Sequence, residues 1–286
     1  MNLRKIFKIA GIEYSKWVLN ARMLLFVLIF PVVKMLAVDP LVSRSVSEGM
    51  KMNVFEPLID LCNSRLLVLI IPSFFLVMMS DFPSVEPNSM LYVSRSGRFA
   101  WMWGQVLFSL MASLTFIAVI YGGVLIMSVK NCYFGNEWSF VTRTYLSRHP
   151  EAVSSYALQL LPSNLYNQLS ISGALLFSFT LLLMFFMMVS VLLMAFTVLG
   201  KRKAGLLFTV LFFLMGVITC SVGSGIRWSF PVAHFVIWVH FEEIVRKPVY
   251  AIWKSYAYFG TIMAVALLIS GIMINRTGFE EKESYL

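Results

Sequence analysis

ISGALLFSFTLLLMFFMMVSVLLMAFTVL, residues 171–199, contains no charged side chain and no proline. About 20 apolar residues in a helix cross the hydrocarbon core of a bilayer, and this stretch is longer than that. It is continuously apolar, whereas strands of a membrane barrel are short and alternate apolar with polar positions. A helix satisfies its own backbone hydrogen bonds within one segment, as lipid-exposed backbone must. The stretch therefore reads as a membrane-spanning helix and the chain as an all-α integral membrane protein.

Further charge-free windows lie at 66–80, 99–129, 204–226 and 255–275. The window 66–80 is short for a span and extends backwards through 54–65, a helical stretch protruding from the membrane. Upstream of 171, the sequence SSYALQLLPSNLYNQLS (154–170) is polar and stays outside the span. A sixth span comes from WVLNARMLLFVLIFPVVKMLAV (17–38), interrupted by Arg22 and Lys34. The expectation is one transmembrane domain over 1–286 with six spans at about 20–38, 60–80, 100–128, 170–199, 204–223 and 254–275. Hairpins fall around 81–97 and 201–204. The composition agrees: 59% of the 286 residues are hydrophobic and 13% charged, against about 25% charged in a soluble domain, and mean hydropathy is +0.81.

The first residues have no continuous apolar core followed by a small-residue cleavage site, so no signal peptide is expected. Instead Leu3, Ile6, Phe7, Ala10, Tyr14, Trp17 and Val18 recur at helical spacing, with Lys5, Lys8, Glu13 and Lys16 largely between them. This predicts an amphipathic helix over 3–20 lying in the membrane interface. Lysines and arginines divide nearly evenly between the two sides, but short loops and span ends carry the orientation signal. The compact clusters RKIFK (4–8), RSGR (95–98) and GKRKAG (200–205) fall on one side, which predicts cytoplasmic termini in the plasma membrane. The formal charge of +9 implies attraction to anionic lipid, at about 1 kcal/mol per basic residue near the surface. Nucleic acid is a poor partner, because the charges form no contiguous soluble patch.

Motifs for chemistry are absent. There is no GxxxxGK[ST] to cradle nucleotide phosphates, and no HExxH or GxSxG, so catalytic, cofactor and metal residues are expected to be none. Cys62, Cys132 and Cys220 lack metal spacing; they read as small buried hydrophobes, with a Cys62–Cys132 disulfide as the alternative. HFVIWVHFEE (234–243) gathers His234, His240, Glu242 and Glu243, but six residues rotate a helix by about 600°, leaving the histidines on opposite faces. The reading there is a short amphipathic helix over 229–241 at the outer face, with Phe230, Phe235, Trp238 and Phe241 toward lipid or the spans. Within the spans, Lys34 is the ionisable residue of note: either it snorkels to the headgroups or it lines a pathway. Without an ion relay or an internal repeat, a proton-coupled carrier lacks its machinery.

SDFPSVEPNSM (80–90) and LYVSRSGRFAWMWGQVLF (91–108) join spans two and three. Pro83 and Pro87 break helix, Asn88 and Ser89 suit an N-cap, and Gly97 permits a second break after a short helix over 89–94. Arg95 and Arg98 would sit at headgroups and Trp101 and Trp103 at the interface, as Trp17 would in the first helix. One reading is a plain aromatic-belt hairpin. The other is a stiff cytoplasmic projection for a partner to grip.

In the N-terminal interfacial helix, this loop, the order of spans and the aromatic SFPVAHFVIWVHF (229–241) before span six, the chain resembles the permease subunits of type-2 ABC exporters, in particular six-span permeases of Gram-positive bacteria. The resemblance implies a dimer of this chain, or a pair with a related permease, coupled to a cytoplasmic ABC ATPase subunit that holds ATP and magnesium. It implies a coupling helix within 81–98, with Glu86, Ser89, Tyr92, Arg95 and Arg98 facing the ATPase, and outer helices between spans five and six. Spans rich in Phe and Met are compatible with hydrophobic peptides, lipids or antimicrobials as cargo, although lipid-facing and helix-packing bulk is the better account of that richness. The alternative function is an immunity or sensor protein that captures an antimicrobial at the outer face without transport.

Overall fold

The computed structural model describes residues 3–83, 96–149, 160–242 and 248–274. Within them the chain is mostly helical, with one two-residue parallel pairing, β1 (Met52–Asn53) with β2 (Cys132–Tyr133), and an isolated antiparallel bridge between Phe241 and Pro248. Five helical stretches are long and apolar enough to cross a membrane: Ala21–Ser47, Arg98–Asn131, Ile171–Val198, Arg202–Val222 and Ile252–Met273. A bent pair, α4 (Glu56–Asn63) and α5 (Leu67–Met78), with axes 78° apart, makes a sixth crossing only if the two helices act as one span. The 12 residues of α5 reach about 18 Å, well short of a bilayer core of about 30 Å. The bend falls at Ser64, whose extended backbone (φ −69°, ψ 133°) ends α4. The fold is an all-α, multi-pass membrane protein.

The first helix, α1 (Leu3–Val18), buries one apolar stripe and leaves other apolar positions at the surface. Ile6, Ile9, Ala10 and Trp17 are buried, while Leu3 and Phe7 are 65% and 64% exposed. The stripe lies along α6 (Arg98–Ser128). Gly104 permits this approach, since a Cβ there would stand 2.7 Å from the Ile9 side chain. Trp17 meets Phe108 edge-on at 6.2 Å, and Tyr14 hydrogen-bonds Thr115 at 2.8 Å.

The first span is made of α2 (Leu25–Val33), a π-helical turn at Lys34–Val38, and α3 (Asp39–Ser47). Pro40 has no N–H to return to the carbonyl four residues back; the Asp39 N–H reaches the Lys34 carbonyl instead, one residue further than in an α-helix. The span runs nine residues beyond its predicted end because Pro40 sits in the first turn of α3, where a missing N–H costs nothing.

The central helix is α9 (Ile171–Val198), 28 residues with 67% of its most apolar window buried. Its adjacent Phe185 and Phe186 serve different neighbours. Phe186 stacks on Phe75 of α5 at 4.1 Å and meets Phe116 of α6 at 5.3 Å. Phe185 meets Phe213 of α10 (Arg202–Val222), Phe235 of α11 (Pro231–Phe235) and Phe259 of α12 (Ile252–Met273) at 6.0, 4.7 and 6.4 Å. Such pairs contribute about 1 kcal/mol each beyond area burial. The remaining short helices are α7 (Phe140–Arg148) and α8 (Ser163–Tyr166).

We call the end of the bundle that holds Asn20, Asp81, Arg98, Arg202 and Ile274 the near end, and the opposite one the far end.

Candidate functional site

At the near end, Asp81 follows α5 and reaches two other elements: it pairs with Arg22, just ahead of α2, and with Arg202 at the start of α10 (3.2 Å). Together with Glu13, Lys16 and Phe108, these groups line a polar cleft of about 300 Å³. All three charged side chains are substantially exposed, Asp81 by 57%. After it the chain turns through Phe82, buried against Phe108 at 5.2 Å, and the cis Phe82–Pro83 peptide. On the other side of the loop, Gly97 has φ +92°, a backbone state that side chains rarely adopt, and α6 begins. Arg98 donates from Nη1 to the carbonyl of Ile274, at the end of α12, at 3.0 Å. Of the residues expected to face a partner, Glu86, Ser89, Tyr92 and Arg95 lie outside the described residues.

The expected interface tryptophans differ from one another. Trp103 is 39% exposed, but Trp101 is 2% and Trp17 9% exposed, both in the core. Trp17 packs against Phe108 of α6, and that contact takes up ring surface expected to face headgroups. Trp238 is half-buried and donates from Nε1 to the carbonyl of Asn63 at 3.0 Å. Lys34 is half-exposed and pairs with Asp39 at 3.1 Å on the flank of the first span. The three cysteines are free, and Cys62 Sγ lies 3.6 Å from the Tyr121 hydroxyl, so the alternative Cys62–Cys132 disulfide is not formed.

The far end is built largely of buried polar groups, with the Glu48 ion pairs to the half-exposed Arg148 and His149 at its edge. Glu56 accepts from the Ser139 N–H at 2.6 Å and its hydroxyl at 2.9 Å, and Asn53 donates to the carbonyls of Gly135 and Glu137. Glu48 pairs with Arg148 and with His149, and Arg44 lies 4.4 Å over the Tyr145 ring. Asp60 is fully buried; its carboxylate oxygens accept no hydrogen bond among the described residues. Asn63 holds three elements at once: its amide donates to the Ile59 carbonyl and the Ser178 hydroxyl, and its side-chain oxygen accepts from the Ile237 N–H.

The segment 225–242 departs from the expected amphipathic helix. It consists of a 3-10 turn (Gly225–Ser229), α11, and a second 3-10 turn (Ile237–His240), with Val236 extended between the last two. Phe235 is 1% exposed in the core, while Phe230, Trp238 and Phe241 are partly exposed. Valine, isoleucine, tryptophan, phenylalanine and histidine are all weak helix formers, and this signal in VAHFVIWVHF favours interruption. The break overturns the expectation for the histidines. His234 Nδ1 and His240 Nε2 converge on the Ser255 hydroxyl of α12, at 2.9 and 2.8 Å. Burial pulls both imidazoles down to about 4, and for His240 the nearby His234 and Arg227 act in the same direction. Sequence reasoning missed Asp60, Asn63 and this convergence. Among the described residues no three His, Cys, Asp or Glu side chains are grouped to hold a metal.

In comparisons with protein-family models, curated proteins and solved structures, the chain matches none.

Proposed function

We propose that this chain is the membrane-spanning permease subunit of an ABC exporter. It resides in the plasma membrane with both termini cytoplasmic, paired with a second permease and with a cytoplasmic ATPase that binds ATP and magnesium. Hydrophobic peptides, lipids or antimicrobials are the cargo class.

The observation that carries this reading is how the loop between α5 and α6 is anchored. Asp81 at its entry is tied to the starts of α2 and α10, and Arg98 at its exit to the end of α12. A push on this loop reaches three further helices, α2, α10 and α12, through side-chain contacts, as a partner that drives conformational change requires. The near-end cleft, with charges of both signs, offers a docking surface whose pairs can be exchanged for a partner's.

The test is co-purification of the full chain with an ATP-hydrolysing subunit. Arg95→Ala should lose ATPase association without changing the melting temperature. Arg98→Ala should keep association and uncouple hydrolysis from transport, because it releases α12. The double variant combines both losses. Normal insertion with full ATPase binding and transport in the double variant overturns the reading.

The cleft bordered by Asn63, Arg65, Cys220, Val236 and Trp238 at the far end favours a second reading, capture of an antimicrobial without transport. Purification without an ATPase, together with saturable antimicrobial binding lost in Trp238→Ala, would support it over the first.

A further inference from the structure

The side chains joining the 225–240 segment to α12 form a linear chain of four contacts. His234 Nε2 meets the Trp228 carbonyl at 2.9 Å, His234 Nδ1 meets Ser255 Oγ at 2.9 Å, Ser255 Oγ meets His240 Nε2 at 2.8 Å, and His240 Nδ1 meets the Val236 carbonyl at 3.1 Å. Both ends are carbonyls, which only accept. Each neutral imidazole carries one N–H, and the serine hydroxyl carries one proton. Three protons therefore serve four contacts. Whichever tautomers are chosen, one short contact sets lone pair against lone pair, in a place where His234, His240 and Ser255 are all fully buried. A fourth proton completes the chain: one imidazolium donates to Ser255, and Ser255 donates to the other ring.

We infer that His234, Ser255 and His240 form a proton-binding site at the far end, which takes one proton from water as a unit and so closes the hydrogen-bond chain fastening residues 225–240 to α12. The surrounding rings suit a cation. His234 lies face to face with Tyr258 at 3.8 Å, and Trp228, itself stacked on Tyr250 at 4.0 Å, is 5.7 Å from His234 and 5.2 Å from His240. Aromatic faces attract positive charge at such separations. The other charged and titratable groups nearby come from each neighbouring element. Arg227 lies over Trp228 at 5.3 Å and Lys254 over Tyr250 at 5.5 Å; Arg65, beyond α4, lies over Trp238 at 6.0 Å; Cys220 of α10 is close enough to feel Arg227. The cations oppose protonation, as does burial, so the site holds one proton and rejects a second. The site stands whether or not the chain is an exporter.

The test is a pH titration of ring nitrogen signals in the full chain, labelled at histidine and held in detergent micelles. The sequence has three histidines, and His149→Gln assigns the third. One uptake step on the pair is expected between the ordinary value of 6.5 and about 4, with the second proton entering only below it. Ser255→Ala removes the acceptor for the imidazolium and should lower proton affinity about tenfold, one pH unit. Should that variant not fold, His240→Gln decides: its amide supplies the missing N–H permanently, so His234 should stay neutral throughout the range. Two neutral rings with unchanged tautomers across the window overturn the proposal. So does a step unmoved in Ser255→Ala, or a His234 in His240→Gln that titrates as in the parent.

Discussion

At the near end Asp81 meets two arginines while more than half of its side chain is open to solvent; at the far end Asn63, Ser178, His234, His240 and Ser255 have no exposed surface at all. The same fold thus fastens its two ends by opposite chemistries. Exposed ion pairs contribute little and exchange partners readily, whereas a buried polar group that loses its partner costs its full desolvation. The near end is suited to rearrangement, and the far end to holding its geometry while the near end moves.

The largest expected effect is at Asn63. Asn63→Ala strands the Ser178 hydroxyl and the Ile237 N–H and should destabilise the protein by about 3 kcal/mol, read as a fall in melting temperature in detergent. A smaller loss, below about 1 kcal/mol, would erase the contrast between the ends. Next comes Glu56→Ala, which removes both acceptors for Ser139 and should cost about 2 kcal/mol in the same assay.

Third is pH. The folded-state values of His234 and His240 lie below the unfolded value of 6.5, so the unfolded chain binds more protons between 6.5 and about 4. Stability is therefore full above 6.5 and falls as pH drops through that window. His240→Gln removes one of the two rings from this balance, so the slope just below 6.5, above the uptake step, should fall by about half; an unchanged slope there would assign the acid loss to other groups. The smallest effect is Asp81→Asn, less than about 1 kcal/mol and fading at high salt; a larger, salt-independent loss would make the near end as rigid as the far one.

The spans were legible because a run such as 171–199 leaves lipid as its only compatible solvent. What stayed hidden depends on which neighbour covers an apolar face. Periodicity gave α1 one apolar face for the membrane interface and could not show that Ile6, Ile9, Ala10 and Trp17 pack into the bundle while Leu3 and Phe7 stay exposed. Trp101 resembles an interface anchor in the sequence, but the fold buries it in the core. The histidines were assigned to opposite faces on the premise of a continuous helix, and one extended residue, Val236, brings them to a common serine. Asp60 falls in the stretch 54–65 that the sequence reads as a helix protruding from the membrane, where an acid is unremarkable, yet the fold encloses it completely.

The π-helical turn at Lys34–Val38 sets the phase of everything after it. Deleting one residue there would leave an unbroken α-helix of nearly the same length, but would rotate the rest of the span by about 100°. Leu41, Arg44 and Ser45, now buried, would swing away together, and the Arg44 guanidinium would leave the Tyr145 ring for lipid. Hydropathy along the segment would barely change while the far end lost the Arg44–Tyr145 contact: in this span the count of residues matters more than their oiliness.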